Sequence, residues 1–327
     1  MNNRIYSPKV SIIIPLYVIC ERFFKDLERF NKIHYHNYEI LIICDKKIQI
    51  PKKRHIKLVI TGQKKTGPAE KRDIGVSHAK GEICAFIDDD AYPDIHWIGT
   101  AVKHFIANKN IIAVGGPGLT PPDDSYMAKL GGLVYESKLT SGKLQMRFLP
   151  IGSSNQQIFD WPAYNFFIRK SVIKKVGGWG SMFYGGEDTF ICYKMLKHGK
   201  MIYEPKSIVY HHRRELFKPH LQQIYNVGVH RGYFFKKYPE TSRHILYLMP
   251  TALTTNFFLL AFLSLFFTKV LISFILILSI LFLVTIKLMN TKVSVYNKFI
   301  VFIGILLTHM AYGIGFIKGI LINNLIR

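Results

Sequence analysis

The stretch Ile83-Cys84-Ala85-Phe86-Ile87-Asp88-Asp89-Asp90 joins an apolar run to three consecutive carboxylates. Such charges do not fit inside a strand, because side chains alternate across a strand and adjacent carboxylates repel each other. They fit the C-terminal end of a buried strand, where open α/β sheets build their sites. Asp88 and Asp90 then project to the same side, where a divalent cation such as Mg²⁺ would relieve their repulsion. Taken alone, the turn is equally consistent with an acidic loop tip that caps the next helix.

The sequence on either side alternates short apolar runs with helical patterns. The runs that predict strands are 10–14, 38–44, 56–60, 83–87, 111–114, 164–169 and 206–210. The patterns that predict helices are 21–34, 68–79, 94–108, 186–198 and 218–237. Strands and helices that alternate with short links predict an α/β fold with a doubly wound, mainly parallel (mixed) sheet. The stretch 115–160 has little pattern beyond a helix near 125–135.

The charge of the chain narrows the class of partner. With 44 Lys and Arg against 21 Asp and Glu, the formal net charge is +23, which favours nucleic acid, anionic lipid or an anionic substrate. No helix-turn-helix or RNA-binding signature is present, so we expect no nucleic-acid partner. The four cysteines show no paired spacing, and Met1–Lys9 does not resemble a signal peptide, which indicates a reducing compartment.

The C-terminal part is apolar enough for a bilayer. The runs 245–268, 270–286 and 299–322 predict about three transmembrane helices, because a span needs roughly 20 apolar residues. The loop between the second and third runs carries Lys287, Lys292 and Lys298 and no acid, so it is predicted to be cytoplasmic. Two crossings before that loop place the N-terminal domain in the cytoplasm as well. We therefore predict an integral membrane protein with three parts: an α/β domain over 1–215, a basic amphipathic juxtamembrane linker over 216–244, and a membrane region over 245–327.

Four motifs in order carry a family resemblance. They are Ser11-Ile12-Ile13-Ile14-Pro15, Gly67-Pro68-Ala69-Glu70-Lys71-Arg72-Asp73-Ile74-Gly75, Phe86-Ile87-Asp88-Asp89-Asp90-Ala91 and Gly185-Gly186-Glu187-Asp188-Thr189. Over roughly 9–240 the sequence resembles family-2 glycosyltransferases of the GT-A fold, which are inverting enzymes that use a nucleotide-diphospho-sugar. The resemblance implies transfer of a sugar from a UDP- or GDP-linked donor to a hydroxyl of a lipid, a lipid-linked sugar or a glycan precursor.

The resemblance assigns a metal site to the acidic turn. Asp88 and Asp90 resemble the DxD pair of the family, with Asp88 near the ribose and Asp90 holding Mn²⁺ or Mg²⁺. A histidine after the last strand completes the metal site in many relatives, which makes His211 the first candidate and His212 the second. Asp89 is expected to have no role beyond solvation or helix capping.

The resemblance also implies a nucleotide site at the ends of the first two strands. Backbone groups of Leu16 and Tyr17, after Pro15, would hold the base together with Asp45, and Arg72 would contact the nucleotide. Arg72 could equally be a surface cation. Two departures from the family pattern, Cys44-Asp45-Lys46 in place of an acidic pair before Gly or Ser and Asp73 in place of Asn, leave the base and the local hydrogen bonds open.

The second acidic centre is Glu187-Asp188. An acceptor hydroxyl is a poor nucleophile at neutral pH, and a positioned carboxylate can take its proton. The family pattern makes Asp188 that base, kept ionised by the helix N-terminus, while Glu187 orients the acceptor or the loop. The alternative is an ordinary pair of acids in the first turn of a helix.

Six more side chains are expected near these groups. The candidates for binding the acceptor are Trp161, Asn165 and Trp179. The candidates for supporting the diphosphate or the metal are His212, Arg213 and Arg214. For the two arginines, charge at the membrane surface is an equally good interpretation.

Two other functions stay open, and one mode of action is disfavoured. A processive synthase would carry Gln-x-x-Arg-Trp after the second acidic centre, but the nearest string, 157–161, precedes that centre and has Asp160 in place of Arg, so we expect non-processive transfer. A nucleotidyltransferase would need a Gly-rich loop after the first strand, where 15–18 has no glycine. A catalytically inactive, membrane-tethered protein that binds nucleotide sugars remains possible, and the sequence does not indicate an oligomeric state.

Overall fold

The computed structural model of the 327-residue chain describes residues 6–51, 53–62, 65–180, 185–290 and 292–325. These residues divide into two compact units. The first contains the chain up to Leu119 together with Leu149–His212, and the second contains Thr120–Phe148 together with the chain from Arg213. The poorly patterned stretch 115–160 is therefore shared between the two units, a division that the sequence pattern does not indicate.

Most of the predicted elements are present, with shifted ends. The described strands are β1 (Val10–Pro15), β2 (Tyr38–Cys44), β3 (Ile56–Ile60), β4 (Ile83–Phe86), β5 (Ala91–Pro93), β6 (Ile111–Gly115), β7 (Gly118–Leu119), β8 (Gln156–Gln157), β9 (Phe166–Arg169), β10 (Lys200–Tyr203) and β11 (Val209–His211). The described α-helices are α1 (Glu21–Arg29), α2 (Pro68–His78), α3 (Trp97–Ala107), α4 (Tyr126–Glu136), α5 (Lys138–Ser141), α6 (Lys170–Lys175), α7 (Glu187–Met195), α8 (Lys218–Lys237), α9 (Pro239–Ser242), α10 (Ile245–Ser264), α11 (Thr268–Leu288) and α12 (Val295–Leu321).

The first unit is built on a mixed sheet of order β3-β2-β1-β4-β9-β6-β10-β8. Strands β1 to β4 are parallel, and β9 runs antiparallel between β4 and β6. All residues of β1 and β4 are buried, which is why these strands are continuous apolar runs and not alternating ones. The predicted mixed, mainly parallel α/β sheet is confirmed.

A small second sheet, β5-β11-β7, lies beside the acidic turn. His211 of β11 pairs with Ala91 of β5, directly after that turn, and the His212 amide donates to the Asp90 carbonyl at 2.9 Å. The sequence placed the last strand at 206–210, but β11 is Val209–His211, and β10 (Lys200–Tyr203) was not predicted because its apolar run is only three residues long.

The second unit contains the three long apolar helices. Helices α10, α11 and α12 have 20, 21 and 27 residues and are apolar enough to cross a membrane, as predicted. The basic helix predicted at 218–237 is present as α8. Two glycines of α8, Gly228 and Gly232, meet the backbone of α12 so closely that a Cβ at either position would overlap the helix opposite. The helix α8 is therefore packed into the second unit.

Candidate active site

The acidic turn and the small sheet bring three potential metal ligands together. Asp88, Asp90 and His211 each offer a ligand atom, and these atoms all lie within 4.8 Å of one another. His211 Nε2 is 2.9 Å from Asp90 Oδ1, and the Tyr164 ring stacks on the imidazole with 4.6 Å between ring centroids. Two carboxylates and one imidazole form a donor set that suits Mn²⁺ better than Mg²⁺. These three residues therefore fit the divalent metal that the resemblance implies.

Arg72 joins this turn to the second acidic centre. Its guanidinium lies 2.9 Å from Asp88 Oδ1, 3.2 Å from Glu187 Oε1 and 3.7 Å from Asp188 Oδ1. Arg72 comes from the first half of α2, whereas Glu187 and Asp188 form the first turn of α7. The guanidinium is buried and stacks over the Trp179 ring at 4.8 Å from the ring centroid. Arg72 is therefore not the surface cation that the sequence left possible.

The carboxylates around Arg72 counteract the effect of burial on its pKa. Burial alone would lower the pKa of the guanidinium, but the carboxylates of Asp88, Asp188 and Glu187 outweigh burial and raise the pKa above its usual value. Arg72 therefore stays charged, and it offsets the repulsion among three carboxylates that converge from two distant parts of the sequence.

The pKa of Asp188 is raised well above its usual value. Burial raises its pKa most, the Arg72 charge lowers it, and the Glu187 and Asp88 charges raise it, with a result of about 7. The sequence predicted that the helix N-terminus would keep Asp188 fully ionised; burial and the two neighbouring carboxylates outweigh that effect. Its side chain is 31% exposed, and Oδ1 is buried with no hydrogen-bond partner. A carboxylate with a pKa near 7 and an unsatisfied oxygen is suited to accept a proton.

A buried lysine organises the predicted nucleotide end. Lys71 Nζ donates to the Leu16 carbonyl at 2.7 Å, pairs with Asp45 Oδ2 at 3.0 Å and lies over the Tyr17 ring. Burial would raise the pKa of Asp45, but hydrogen bonds from Thr61, Thr66 and Lys71 outweigh burial and lower it to about 2. Lys71 was not predicted, because its partners Leu16 and Asp45 follow two different strands, β1 and β2.

Asp89 also has a structural task that the sequence did not indicate. Its Oδ2 accepts hydrogen bonds from the Tyr17 amide at 2.5 Å and the Val18 amide at 3.0 Å. Burial raises the pKa of Asp89 to about 6 against these two hydrogen bonds, with the Asp90 and Asp88 charges adding to the rise. The middle carboxylate of the turn thus ties the loop after β1, which includes the predicted nucleotide-binding backbone, to the metal-ligand cluster.

Trp179 is buried, whereas the sequence predicted that it binds the acceptor. It is fully buried, packs edge-on against Phe86 and supports the guanidinium of Arg72, so in this conformation it is not an open platform for a sugar ring. Asp73 holds this loop in place, because its carboxylate accepts from the amides of Trp179 at 2.8 Å and Gly180 at 3.2 Å. The aspartate that replaces the usual Asn is therefore satisfied by two backbone donors.

The other two predicted acceptor residues are also buried. Trp161 donates from Nε1 to the Gly116 carbonyl at 3.1 Å. Asn165 accepts from Trp97 Nε1 at 2.8 Å and donates to the carbonyls of Pro117 and Ser207. These hydrogen bonds satisfy the Asn165 amide within the protein, which gives both side chains a supporting role behind the site and not a surface for the acceptor.

The three basic residues after β11 differ in their partners and in their exposure. His212 follows β11 and is buried, with its Nε2 at 2.9 Å from Asp26 Oδ2, and it lies outside the metal-ligand cluster. Arg213 belongs to the second unit, where its guanidinium lies 5.5 Å from the ring centroid of Tyr135 and 5.3 Å from that of Phe148. Arg214 is exposed in the second unit. The predicted support of a diphosphate by these three residues remains a prediction.

The family of the chain follows from a direct match. The protein-family model described as Glycosyl transferase family 2 matches residues 11–177 of the sequence, which is just over half of the chain. The chain therefore belongs to glycosyl transferase family 2, as the motifs predicted. The matched region contains all of β1 except Val10, together with α2 and the acidic turn, and it ends before Glu187 and Asp188.

Two curated relatives have low sequence identity to this chain. A pre-mycofactocin glycosyltransferase from Mycobacterium tuberculosis (strain CDC 1551 / Oshkosh) is 27% identical over 154 residues, which are 46% of this chain and 31% of the relative. The protein of the same description from strain ATCC 25618 / H37Rv gives the same figures. The chain thus spans about a third of the length of these curated relatives.

Two solved structures are similar to this chain at low sequence identity. The mannosyltransferase PcManGT from Pyrobaculum calidifontis, solved in complex with GDP-Man and Mn²⁺, is 17% identical with a TM-score of 0.56, over 80% of this chain and 77% of that one. Residues 1–349 of S. aureus TarS in complex with UDP-GlcNAc are 13% identical with a TM-score of 0.48, over 68% of this chain and 66% of that one. The first likeness confirms the GT-A type of fold.

Proposed function

We propose that the protein is a membrane-anchored, metal-dependent, inverting glycosyltransferase that moves a sugar from a UDP- or GDP-linked donor to an acceptor hydroxyl. One observation carries this proposal. Arg72 contacts Asp88 of the acidic turn and both acids of the second centre, so the potential metal ligands and the potential base share one site. The two functions that sugar transfer needs, stabilisation of a leaving diphosphate and deprotonation of a hydroxyl, then lie side by side.

The donor would bind along the carboxyl ends of β1 and β2. The base would lie against Leu16, Tyr17 and Asp45, in the loop that Lys71 and Asp89 hold in shape. Asp88, Asp90 and His211 would hold Mn²⁺ or Mg²⁺, which when bound neutralises the diphosphate as it leaves. PcManGT was solved with GDP-Man and Mn²⁺, which makes a GDP-linked donor with Mn²⁺ the first combination to test.

The acceptor would be activated by Asp188. Its carboxylate takes the proton of the acceptor hydroxyl while that oxygen attacks the anomeric carbon from the side opposite the diphosphate. The new glycosidic C–O bond forms as the bond to the diphosphate breaks, so the configuration at this carbon inverts. Glu187, held by Arg72, orients the first turn of α7 and the acceptor.

The location of the acceptor follows from the membrane anchor. Lys287 and Lys292 flank the turn between α11 and α12, and Arg243 precedes α10, which favours a cytoplasmic orientation for the ends of the hairpin and for the catalytic domain. The proposed acceptor is then a lipid, a lipid-linked sugar or a glycan precursor at the inner leaflet. Transfer is proposed to be non-processive, because the Gln-x-x-Arg-Trp motif is missing from the sequence.

The test is a donor panel with the full-length protein in detergent. UDP- and GDP-linked sugars are supplied with Mn²⁺ or Mg²⁺ and a lipid extract, and nucleoside diphosphate release is measured with the anomeric configuration of the product by NMR. We expect release with one donor class, an inverted product, and loss of both on Asp188→Asn but not on Asp123→Asn, an exposed control.

Each rival function gives a different result in the same assay. Release of pyrophosphate in place of a nucleoside diphosphate would identify a nucleotidyltransferase. A thermal shift with sugar nucleotides but no release with any donor would identify a binding protein without activity. A product that retains the donor configuration would overturn the inverting mechanism.

A further inference from the structure

The three long apolar helices of the second unit are not equivalent. In α10 and α11 only 6% of the most apolar window is buried by protein, whereas in α12 the share is 44%. Large apolar side chains are exposed at the turn between α10 and α11, including Leu265 at 76% and Phe266 at 66%. Between 300 and 313, a continuous part of the described chain, no residue of α12 is exposed. The α10–α11 hairpin therefore has the surface of a membrane-inserted element, whereas α12 is covered by protein, including α10, whose Thr254 donates to the His309 carbonyl at 2.8 Å.

Polar elements of the second unit accompany α12 over its length. Near its start, Tyr126 of α4 donates a hydrogen bond to Asn297 at 2.5 Å. Past its end, Lys236 of α8 donates to the Ile322 carbonyl at 2.6 Å. Between them, Gly228 and Gly232 of α8 lie against the backbone of α12 near Tyr312 and Phe316. Neither α4 nor α8 is among the helices apolar enough to cross a membrane.

The middle of α12 packs against a segment that carries several charged residues. Thr308, halfway along the helix, lies 2.9 Å from His220 at the start of α8, and Gly304 packs against Leu216. The segment that contains these two partners also carries three exposed charged residues. They are Arg214, Glu215 and Lys218. If α12 crossed the bilayer, these charges would lie near its midplane, where ionised side chains are costly.

We infer that α12 does not cross the membrane but lies along its surface, and that the α10–α11 hairpin is the inserted anchor. A helix of 20 or 21 residues is about 30 Å long, which matches the hydrocarbon thickness of a bilayer. The hairpin crosses twice, and the exposed Lys269 at its turn reaches the far interface. Both ends of the hairpin, α12 and the described C-terminal residues then lie on the same side as the N-terminal domain.

The partner of this surface is an anionic lipid leaflet. The segments beside the two ends of the hairpin carry exposed cations and few acids: Lys236, Arg243, Lys287 and Lys292. Each such cation near an anionic surface contributes an attraction that falls off within a Debye length. This inference stands apart from the proposed chemistry, because it depends only on the contacts of the second unit.

Single-cysteine labelling in sealed inside-out vesicles tests the inference on the full-length protein. The background carries Cys20→Ser, because Cys20 is the exposed native cysteine, whereas Cys44, Cys84 and Cys192 are buried. Three variants, Lys292→Cys, Asn323→Cys and Lys269→Cys, are treated with a membrane-impermeant maleimide before and after the vesicles are opened. The parent with Cys20 intact reports the side of the N-terminal domain and serves as the reference.

The inference predicts that Lys292→Cys and Asn323→Cys are labelled in closed vesicles, as Cys20 is. Lys269→Cys should be labelled only after opening. If Asn323→Cys requires opening while Lys292→Cys does not, α12 crosses the membrane and the inference is wrong. If Lys269→Cys is labelled in closed vesicles, the hairpin does not cross and the inference is also wrong.

Discussion

Replacing Arg72 by Met should shift the pH dependence of sugar transfer. Asp188 must be deprotonated to act as a base, so kcat/KM should rise with pH through the pKa of Asp188, which is about 7. Arg72 lowers that pKa from 3.7 Å away. An opposite charge at this range lowers a carboxyl pKa by roughly 1–3 units, so its removal should raise the pKa by a similar amount.

The shift converts directly into a loss of rate. At pH 7 about half of the Asp188 side chains are deprotonated in the parent, and a rise of roughly 1–3 pKa units leaves a tenth to a thousandth. We therefore expect activity at pH 7 to fall by about 5-fold to several-hundred-fold and to recover partly as the pH is raised. Arg72→Lys should show a smaller pH shift, because it keeps the charge, but it should still lose rate because one ammonium cannot bridge Asp88 and Glu187 as the planar guanidinium does.

The assay measures nucleoside diphosphate release at about pH 5.5–9.5, a range of about two pH units on either side of neutrality. Thermal unfolding of each variant checks that it is folded. Arg22→Met on the exposed face of α1 serves as the matched control and should reproduce the parent profile. A folded Arg72→Met variant whose acidic limb stays at the parent pH would refute the electrostatic role of Arg72.

Three further predictions concern the metal, the acid stability and the helix contact. His211→Ala should remove most of the thermal stabilisation by Mn²⁺ in a melting assay, whereas His34→Ala at an exposed site should not. Asp45 has a pKa of about 2 in the folded protein, below its usual value, so its ionised form stabilises the fold above about pH 4. This stabilisation of about 2 kcal/mol is lost as the pH falls toward about 2. Asp45→Asn should therefore flatten that part of the profile of melting temperature against pH. Gly232→Leu should lower the melting temperature, at a cost of about 1–3 kcal/mol or more, because the new side chain would overlap the Phe316 carbonyl; an unchanged melting temperature would contradict the close contact of α8 with α12.

The general fold was predictable because its signals are local. Buried parallel strands such as β1 and β4 are short apolar runs, and the long apolar helices stand out by composition. The strand β10 was missed because its apolar run is short. The grouping of Thr120–Phe148 with the C-terminal helices could not be predicted, because it depends on contacts between residues far apart in the sequence.

The site was predictable only where a motif named the residue. Asp88, Asp90 and His211 were selected by pattern, and they lie together. Asp89 and Lys71 were missed because their partners are 72 and 55 residues away, respectively, at Tyr17 and Leu16.

Two other outcomes have simple physical reasons. His211 ends β11 and lies beside Asp90, whereas His212 follows the strand and pairs with Asp26, which is 186 residues away, so no local signal separates the two histidines. Trp179 looked like an exposed platform because it lies between glycines. Its burial depends on Phe86 and Arg72, which the local sequence does not contain.

A single-turnover measurement tests the central claim, that Asp188 is the base of a sugar-transfer reaction. Parent and Asp188→Asn proteins are saturated with the donor that the panel identifies, with binding verified by thermal shift, and transfer to the acceptor is followed directly. General base catalysis contributes roughly 10²–10⁴-fold, so the variant should bind donor normally and transfer at least about 100-fold more slowly. Transfer by the donor-saturated variant at a rate close to that of the parent would contradict the account.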